Sequence, residues 1–148
     1  MISRELIELA IKNDDVEPAP NVAPVWGVDP AFRGDASVLC IRHDNTILDL
    51  YEYHGLDSTQ LSYKIRDLYQ STPKNLRPSV IAVDATGLGH GVASTLRDFG
   101  LPVHACIFAA SPQRQPERYH RTRDLIWRRD GCVVCDRKRI DPEPQQAD

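Results

Sequence analysis

The sequence predicts one α/β domain built on a five-stranded mixed sheet that is flanked by helices. Three observations favour this fold. Three runs of β-branched and aromatic residues follow one another with short turns between them, which is typical of an antiparallel meander. Helical and strand periodicity then alternate, so the last two strands need crossover helices and parallel pairing. A length of 148 residues is enough for one continuous core of this kind.

A short helix and a linker precede the meander. Apolar residues at helical spacing predict a helix over 3–12, and the acidic, proline-rich stretch after it predicts a linker. The three strands are predicted at 25–29, 37–42 and 47–53. The first of them should end at Asp29, because Pro30 cannot donate a hydrogen bond to a sheet ladder.

Caps and glycines delimit the later elements. Asp57-Ser-Thr-Gln60 predicts a capping box, with Asp57 or Ser58 as the cap of a helix that ends before Pro73. Gly87-Leu-Gly-His-Gly91 opens a second helix, which Gly100 stops. The remaining predicted elements are strands at 79–83 and 103–108 and a helix at 118–129.

We expect three regions along the chain. These are an N-terminal helix and linker over 1–23, a folded domain over 24–130 and a disordered tail over 131–148, whose polar, proline-rich composition does not favour packing. The formal net charge is −3, yet the segment 114–139 is basic and the remainder is acidic. A basic end beside an acidic body permits contact with a polyanion.

The composition also bears on compartment and cysteine chemistry. No apolar run approaches the roughly 20 residues of a membrane span, and the first residues lack the pattern of a secretory signal, so we expect a cytoplasmic protein without membrane contact. Cys40 and Cys106 lie in predicted strands and are interpreted as small core residues. Cys132-Val-Val-Cys135 is a lone CxxC with only His120 nearby, which argues against a zinc site.

Two predicted strands end in an acid. Val25-Trp-Gly-Val-Asp29 and Ser79-Val-Ile-Ala-Val-Asp84 share this arrangement, and if the two strands are neighbours their carboxylates come together. Mg²⁺ and Mn²⁺ prefer such oxygen ligands, and metal-assisted phosphodiester cleavage uses carboxylates clustered at a sheet end. Asp29 and Asp84 are therefore the candidate catalytic and metal-binding residues. Two unrelated structural acids are the alternative interpretation.

Candidate phosphate contacts come from two places. The amides around Gly87 and Gly89, at a helix N-terminus, can hold a phosphate of a DNA backbone, although a purely structural turn explains the glycines as well. Arg121 and Arg128 can contact phosphates, although a solvated helix face is the commoner explanation. A dinucleotide site is the rival use of the glycine turn, but no acid ends a following strand about 20 residues later.

Several of these segments resemble the C-terminal nuclease domain of tailed-bacteriophage terminase large subunits. They are Ile2–Ala10, Gly27-Val-Asp-Pro-Ala31 with Gly34-Asp35, Val83-Asp-Ala-Thr-Gly-Leu-Gly-His-Gly-Val92 and Tyr119-His-Arg-Thr-Arg-Asp-Leu-Ile-Trp127. The resemblance implies a ribonuclease H-like fold and hydrolysis of concatemeric viral DNA during genome packaging. It implies that Asp29 and Asp84 bind the catalytic ions, which are two Mg²⁺ or Mn²⁺ ions in an active member. The implied partners are double-stranded DNA, the terminase small subunit and the portal protein, in the cytoplasm of a bacterial host.

The chain departs from this family in two respects. No ATPase half precedes Met1, and the family's third acid, carried by a late helix, has no match after Trp127; Asp124 is not at that position. We therefore expect a truncated or frameshifted copy, from a decaying prophage or an incomplete reading frame, that binds metal and has very weak or no turnover. The alternative is a catalytically inactive remnant that keeps the fold and at most binds DNA or a packaging partner. A nucleotide-binding module is the third and least favoured class.

Overall fold

A computed structural model of the chain describes residues 4–12, 19, 21–31, 35–44, 46–108, 110, 118, 120 and 121. The chain divides into two compact units, Val16–Phe108 and Met1–Asp15 with Ala109–Asp148. In the latter unit the structure describes one helix, α1 (Arg4–Ile11), where the sequence predicts it. The unit Val16–Phe108 contains the sheet and carries the candidate site.

The unit Val16–Phe108 is built on one five-stranded sheet. Its strands are β1 (Val25–Asp29), β2 (Ala36–His43), β3 (Thr46–His54), β4 (Val80–Asp84) and β5 (Val103–Cys106). They lie in the order β3-β2-β1-β4-β5, with antiparallel pairing between β1, β2 and β3 and parallel pairing of β4 with β1 and with β5. The predicted mixed sheet, a meander extended by parallel strands, is confirmed, and β1 ends at Asp29 as Pro30 requires.

Two helices pack on the sheet, and their ends follow the predicted signals. In α2 (Ser58–Ser71) the Asp57 carboxylate accepts a hydrogen bond from the Gln60 amide at 2.7 Å, while the Gln60 side chain accepts one from the Asp57 amide at 3.0 Å. This is the predicted capping box. In α3 (Gly89–Asp98) the last turn closes through Gly100, whose φ of 76° lets the Leu101 amide donate to the Leu96 carbonyl.

The core lies between one face of the sheet and these two helices. Trp26 and Val28 of β1 are buried, whereas Asp29 is exposed, because successive residues of a strand point to opposite faces. The other buried apolar side chains of the cluster are Leu39, Leu61, Ile65, Ile81, Val83, Val92, Ala93, Leu96 and Leu101. Burial of these side chains sets the register of the sheet and therefore decides which residues face away from the helices.

The direction of the strands brings the ends of four strands and the starts of two helices to one edge of the sheet. β4 and β5 are parallel to β1, and β3 points the same way because two antiparallel pairings separate it from β1. The helices that follow β3 and β4 therefore both begin at the edge where β1 ends. Helix N-termini carry partial positive charge, so this edge favours negatively charged groups.

Some sequence predictions fall on residues that the structure does not describe. The predicted helix at 118–129, the Cys132–Cys135 motif and the predicted tail lie outside the described residues, apart from Arg118, His120 and Arg121. Those three positions are in a turn and bends, so the predicted helix start at Arg118 is wrong. The first four residues of that segment are mostly polar, so little apolar burial favours a helical turn at this point.

Candidate functional site

The two predicted acids lie side by side at one edge of the sheet. Val28 of β1 pairs with Val83 of β4 in parallel register, so Asp29 and Asp84, the next residues, follow on adjacent strands. Both side chains belong to the sheet face opposite the core, since Val28 and Val83 are buried on the core face. The fold thus brings together two carboxylates that are 55 positions apart in the sequence.

Asp84 has one carboxylate oxygen in use and one available. Its Oδ1 accepts two hydrogen bonds from Thr86, one from the backbone amide at 3.0 Å and one from the side-chain hydroxyl at 2.7 Å. Within the part of the chain that the structure describes, Oδ2 has no hydrogen-bond partner and the carboxylate forms no ion pair. One oxygen of Asp84 is therefore held in place and the other is open to a ligand.

Asp29 is exposed at the end of β1, and the described residues offer its carboxylate neither a hydrogen bond nor an ion pair. Its position is fixed through the backbone. The amide of Ala31, two residues later, donates a 3.0 Å hydrogen bond to the hydroxyl of Ser37, a residue of β2 that is 3% exposed. This bond ties the chain after Asp29 to the neighbouring strand.

Gly89 allows the start of α3 to lie against both strand ends. A Cβ atom at this position would fall 1.6 Å from the carbonyl oxygen of Asp84 and 3.4 Å from Cγ of Pro30. No side chain fits in that space, so the glycine is required for the close approach. The same contact shows that the segment after Asp29 and the segment after Asp84 meet at the first residue of α3.

The glycine turn also determines which amides remain available. The amides of Gly89, His90 and Gly91 donate to the carbonyls of Thr86, Gly87 and Leu88 at 3.0–3.3 Å. Gly87 has a φ of 61°, which favours glycine, and its amide donates no hydrogen bond within the described residues. Gly89 thus has a steric role, whereas the amide of Gly87 has no hydrogen-bond acceptor among the described residues.

A thiol lies beside Asp84, on the strand farther from Asp29. Cys106 of β5 pairs with Asp84 in parallel register and is half-buried. Burial, and to a smaller extent the negative charge of Asp84, raise the pKa of the Cys106 thiol. The thiol is therefore protonated near neutral pH.

The donor set fits a hard divalent ion. Mg²⁺ is typically held in proteins by one or two carboxylates, with phosphate oxygens and water completing an octahedron, and Mn²⁺ accepts the same oxygen ligands. Asp29 and the free Oδ2 of Asp84 provide two such carboxylates. Over the described ranges no group of three or more His, Cys, Asp or Glu side chains is placed to hold a metal ion, so a third protein ligand is not identified.

The two predicted arginine contacts stay predictions. Arg121 is exposed and belongs to the other compact unit, and Arg128 lies outside the described residues. Sequence analysis missed Ser37 and Thr86. Thr86 had a signal, since a Thr two residues after an Asp is a common side-chain-to-backbone turn pattern. No sequence signal pointed to Ser37, because its contact with the Ala31 amide depends on how β1 and β2 are aligned.

Solved structures of phage terminase nucleases share this architecture. The nuclease domain of the large terminase subunit of bacterial virus Sf6 superimposes with a TM-score of 0.65 at 20% identity, covering 90% of this chain and 64% of that one. A variant of that domain solved with manganese gives 0.61 at 19% identity, again over 90% of this chain and 63% of the other. The large terminase nuclease of a thermophilic phage gives 0.51 at 15% identity, over 78% of this chain and 59% of that one.

This chain has the fold of a terminase nuclease domain. The predicted ribonuclease H-like fold and the resemblance to that domain are thereby confirmed. At 15–21% identity these likenesses establish the fold of this chain, the terminase-like domain, and not its chemistry.

Two curated relatives are similar to the terminase-like domain in sequence. A probable terminase ATPase subunit of Haemophilus phage HP1 is 28% identical over 110 residues, which are 69% of this chain and 17% of the relative. The terminase ATPase subunit of Escherichia phage P2 is 28% identical over 121 residues, 76% of this chain and 19% of the relative. The chain therefore spans less than a fifth of each relative. No protein-family profile matches it.

No helix among the described residues is long and apolar enough to cross a membrane.

Proposed function

We propose that the terminase-like domain is the metal-dependent DNA endonuclease part of a phage terminase large subunit, which cuts concatemeric viral DNA during genome packaging. The observation that carries the proposal is the pairing of Asp29 and Asp84 at the ends of adjacent parallel strands. In open α/β sheets ligands bind outside the carboxyl ends of the strands. Among the described residues these two carboxylates have no cationic partner, and paired carboxylates are the ligands that a divalent ion needs.

Asp29 and Asp84 would hold Mg²⁺ or Mn²⁺ between β1 and β4. When bound there, the ion supplies Lewis-acid stabilisation of the phosphodiester and a water of lowered pKa. Asp29 is exposed and would serve as one ligand of the ion, whereas Asp84, the other ligand, is half-buried and is oriented by Thr86. A structure of the Sf6 domain with manganese and another with calcium support a divalent ion at this fold.

The DNA backbone would lie along the same edge. The free amide of Gly87 and the positive end of α3 would hold a phosphate next to the ion, because backbone amides at a helix start bind anions. Arg121 and Arg128 remain proposed phosphate contacts. The proposed partners are the terminase small subunit and the portal protein. The proposed location is the cytoplasm of a bacterial host.

A cleavage assay tests the proposal. Linear double-stranded DNA is incubated with the intact chain and Mn²⁺ or Mg²⁺, with and without EDTA. We expect cutting that EDTA abolishes and that Asp29→Asn and Asp84→Asn each reduce at least 100-fold, since a displaced ion site costs about that factor or more. Asp98→Asn is the matched control, because this exposed acid ends α3 at the opposite edge of the sheet.

Thermal stabilisation by Mn²⁺ distinguishes an inactive remnant from a wrongly placed metal site. A wild-type chain that Mn²⁺ stabilises against heat, and that cuts no DNA, identifies the inactive remnant. A ligand that binds only the native state raises its stability, so this readout does not depend on turnover. Equal stabilisation of wild type and Asp29→Asn by Mn²⁺ would place the metal elsewhere and overturn the proposed site.

A further inference from the structure

Thr86 uses the full acceptor capacity of one oxygen of Asp84. A carboxylate oxygen has about two acceptor positions, and Oδ1 of Asp84 receives two hydrogen bonds from the same residue, at 2.7 Å and 3.0 Å. Hydrogen bonds to an ionised acceptor are also stronger than those between neutral groups. A ligand that approached Oδ1 would have to break one of them, whereas Oδ2 is free within the described structure.

The backbone holds Thr86 where it makes these bonds. The amide of Ala85, a residue that is 8% exposed, donates to the carbonyl of Cys106 on β5 at 2.8 Å. The carbonyl of Thr86 accepts a 3.3 Å hydrogen bond from the amide of Gly89, whose backbone lies directly against the end of β4. Thr86 is thus fixed between β4 and the start of α3, and the orientation of the Asp84 carboxylate exists before any ion arrives.

We propose that Thr86 is a positioning residue that makes Asp84 a one-oxygen ligand and thereby selects Mg²⁺ or Mn²⁺ over Ca²⁺; this rests on the proposed function. Ca²⁺ takes six to eight oxygens and often binds both oxygens of one carboxylate. Mg²⁺ requires a strict octahedron, in which a carboxylate contributes a single oxygen, and Mn²⁺ also prefers octahedral oxygen sites. Reserving Oδ1 removes the two-oxygen mode that Ca²⁺ exploits.

The test measures metal preference rather than turnover. Dissociation constants for Mn²⁺ and Ca²⁺ are measured by calorimetry on the intact wild-type chain and on Thr86→Val, which keeps the shape and the backbone amide but lacks the hydroxyl. We expect the preference for Mn²⁺ over Ca²⁺ to fall about tenfold in Thr86→Val, since one hydrogen bond to a charged group is worth roughly that factor. Thr86→Ser, which retains the hydroxyl, should keep the wild-type preference.

Matched variants separate the possible results. Thr95→Val removes a hydroxyl that donates to the Gly91 carbonyl within α3, and it should leave the preference unchanged. If Thr86→Val is not folded, Thr86→Ala provides a second side chain without a hydroxyl. An unchanged preference in the folded hydroxyl-free variant, with binding abolished by Asp84→Asn, overturns the role of Thr86 and leaves the proposed metal site standing. Undiminished binding in Asp84→Asn overturns both.

Discussion

Replacing Gly89 by alanine should strongly destabilise the terminase-like domain, although helix propensity predicts the opposite. Gly89 is the first residue of α3, and its backbone is not in the left-handed region. On propensity alone, alanine would stabilise a helix interior by about 1 kcal/mol relative to glycine. The steric environment therefore has to outweigh that gain.

The size of the effect follows from the distances around Gly89. The added Cβ would lie 1.6 Å from the Asp84 carbonyl oxygen and 2.7 Å from its carbonyl carbon. Favourable non-bonded contacts are about 3.5–4.0 Å, so α3 or the end of β4 would have to move by roughly 2 Å. Neither obstacle is a flexible side chain. Overpacking of this kind typically costs about 1–3 kcal/mol, and we expect at least the upper end of that range.

Gly91→Ala provides the matched control. Gly91 lies two residues later in the same helix, and a Cβ there would meet Ser58 at 3.8–3.9 Å, an ordinary contact. This variant should be neutral or more stable by up to about 1 kcal/mol. In thermal unfolding, 1 kcal/mol corresponds to about 4 °C for a chain of this size.

The expected result is a melting temperature about 10 °C or more lower for Gly89→Ala than for Gly91→Ala. The Mn²⁺-induced stabilisation should fall as well, because the displacement occurs next to Asp84. Equal melting temperatures for the two variants would show that the start of α3 does not press against β4, and would refute the reasoning about the edge of the sheet.

Two further predictions concern the surroundings of the site. Ser37→Ala should cost about 1–3 kcal/mol in urea unfolding, because the Ala31 amide loses its acceptor. The same change at Ser94, an exposed residue of α3, should stay within about 0.5 kcal/mol, and equal costs would contradict the role of Ser37. Burial raises the pKa of the Cys40 and Cys106 thiols above the ordinary value of 9.0. Since only the thiolate reacts, alkylation at pH 8 should be slower in the folded chain than in urea at both cysteines, and the folded rate should rise steeply with pH. Equal rates in the two states would disprove the shift.

The sequence by itself determined the elements and the two acids. Pro30 required β1 to end at Asp29, the Asp57–Gln60 capping box started α2, and Gly100 ended α3; the structure has each of these features. Such signals act within a few residues, through dihedral angles and local hydrogen bonds, and are therefore readable without a fold. The predicted metal ligation by Asp29 and Asp84 remains a prediction.

Only the tertiary structure decided how the site is supported. It aligned Val28 with Val83, so that Asp29 and Asp84 became neighbours, and it pressed Gly89 against the Asp84 carbonyl. It also showed that Thr86 occupies one oxygen of Asp84 and that no described residue contacts the other by a hydrogen bond. These relations depend on strand register and on helix–sheet distance. Both are set by the packing of core residues that are far apart in the sequence. A local sequence pattern therefore does not predict them.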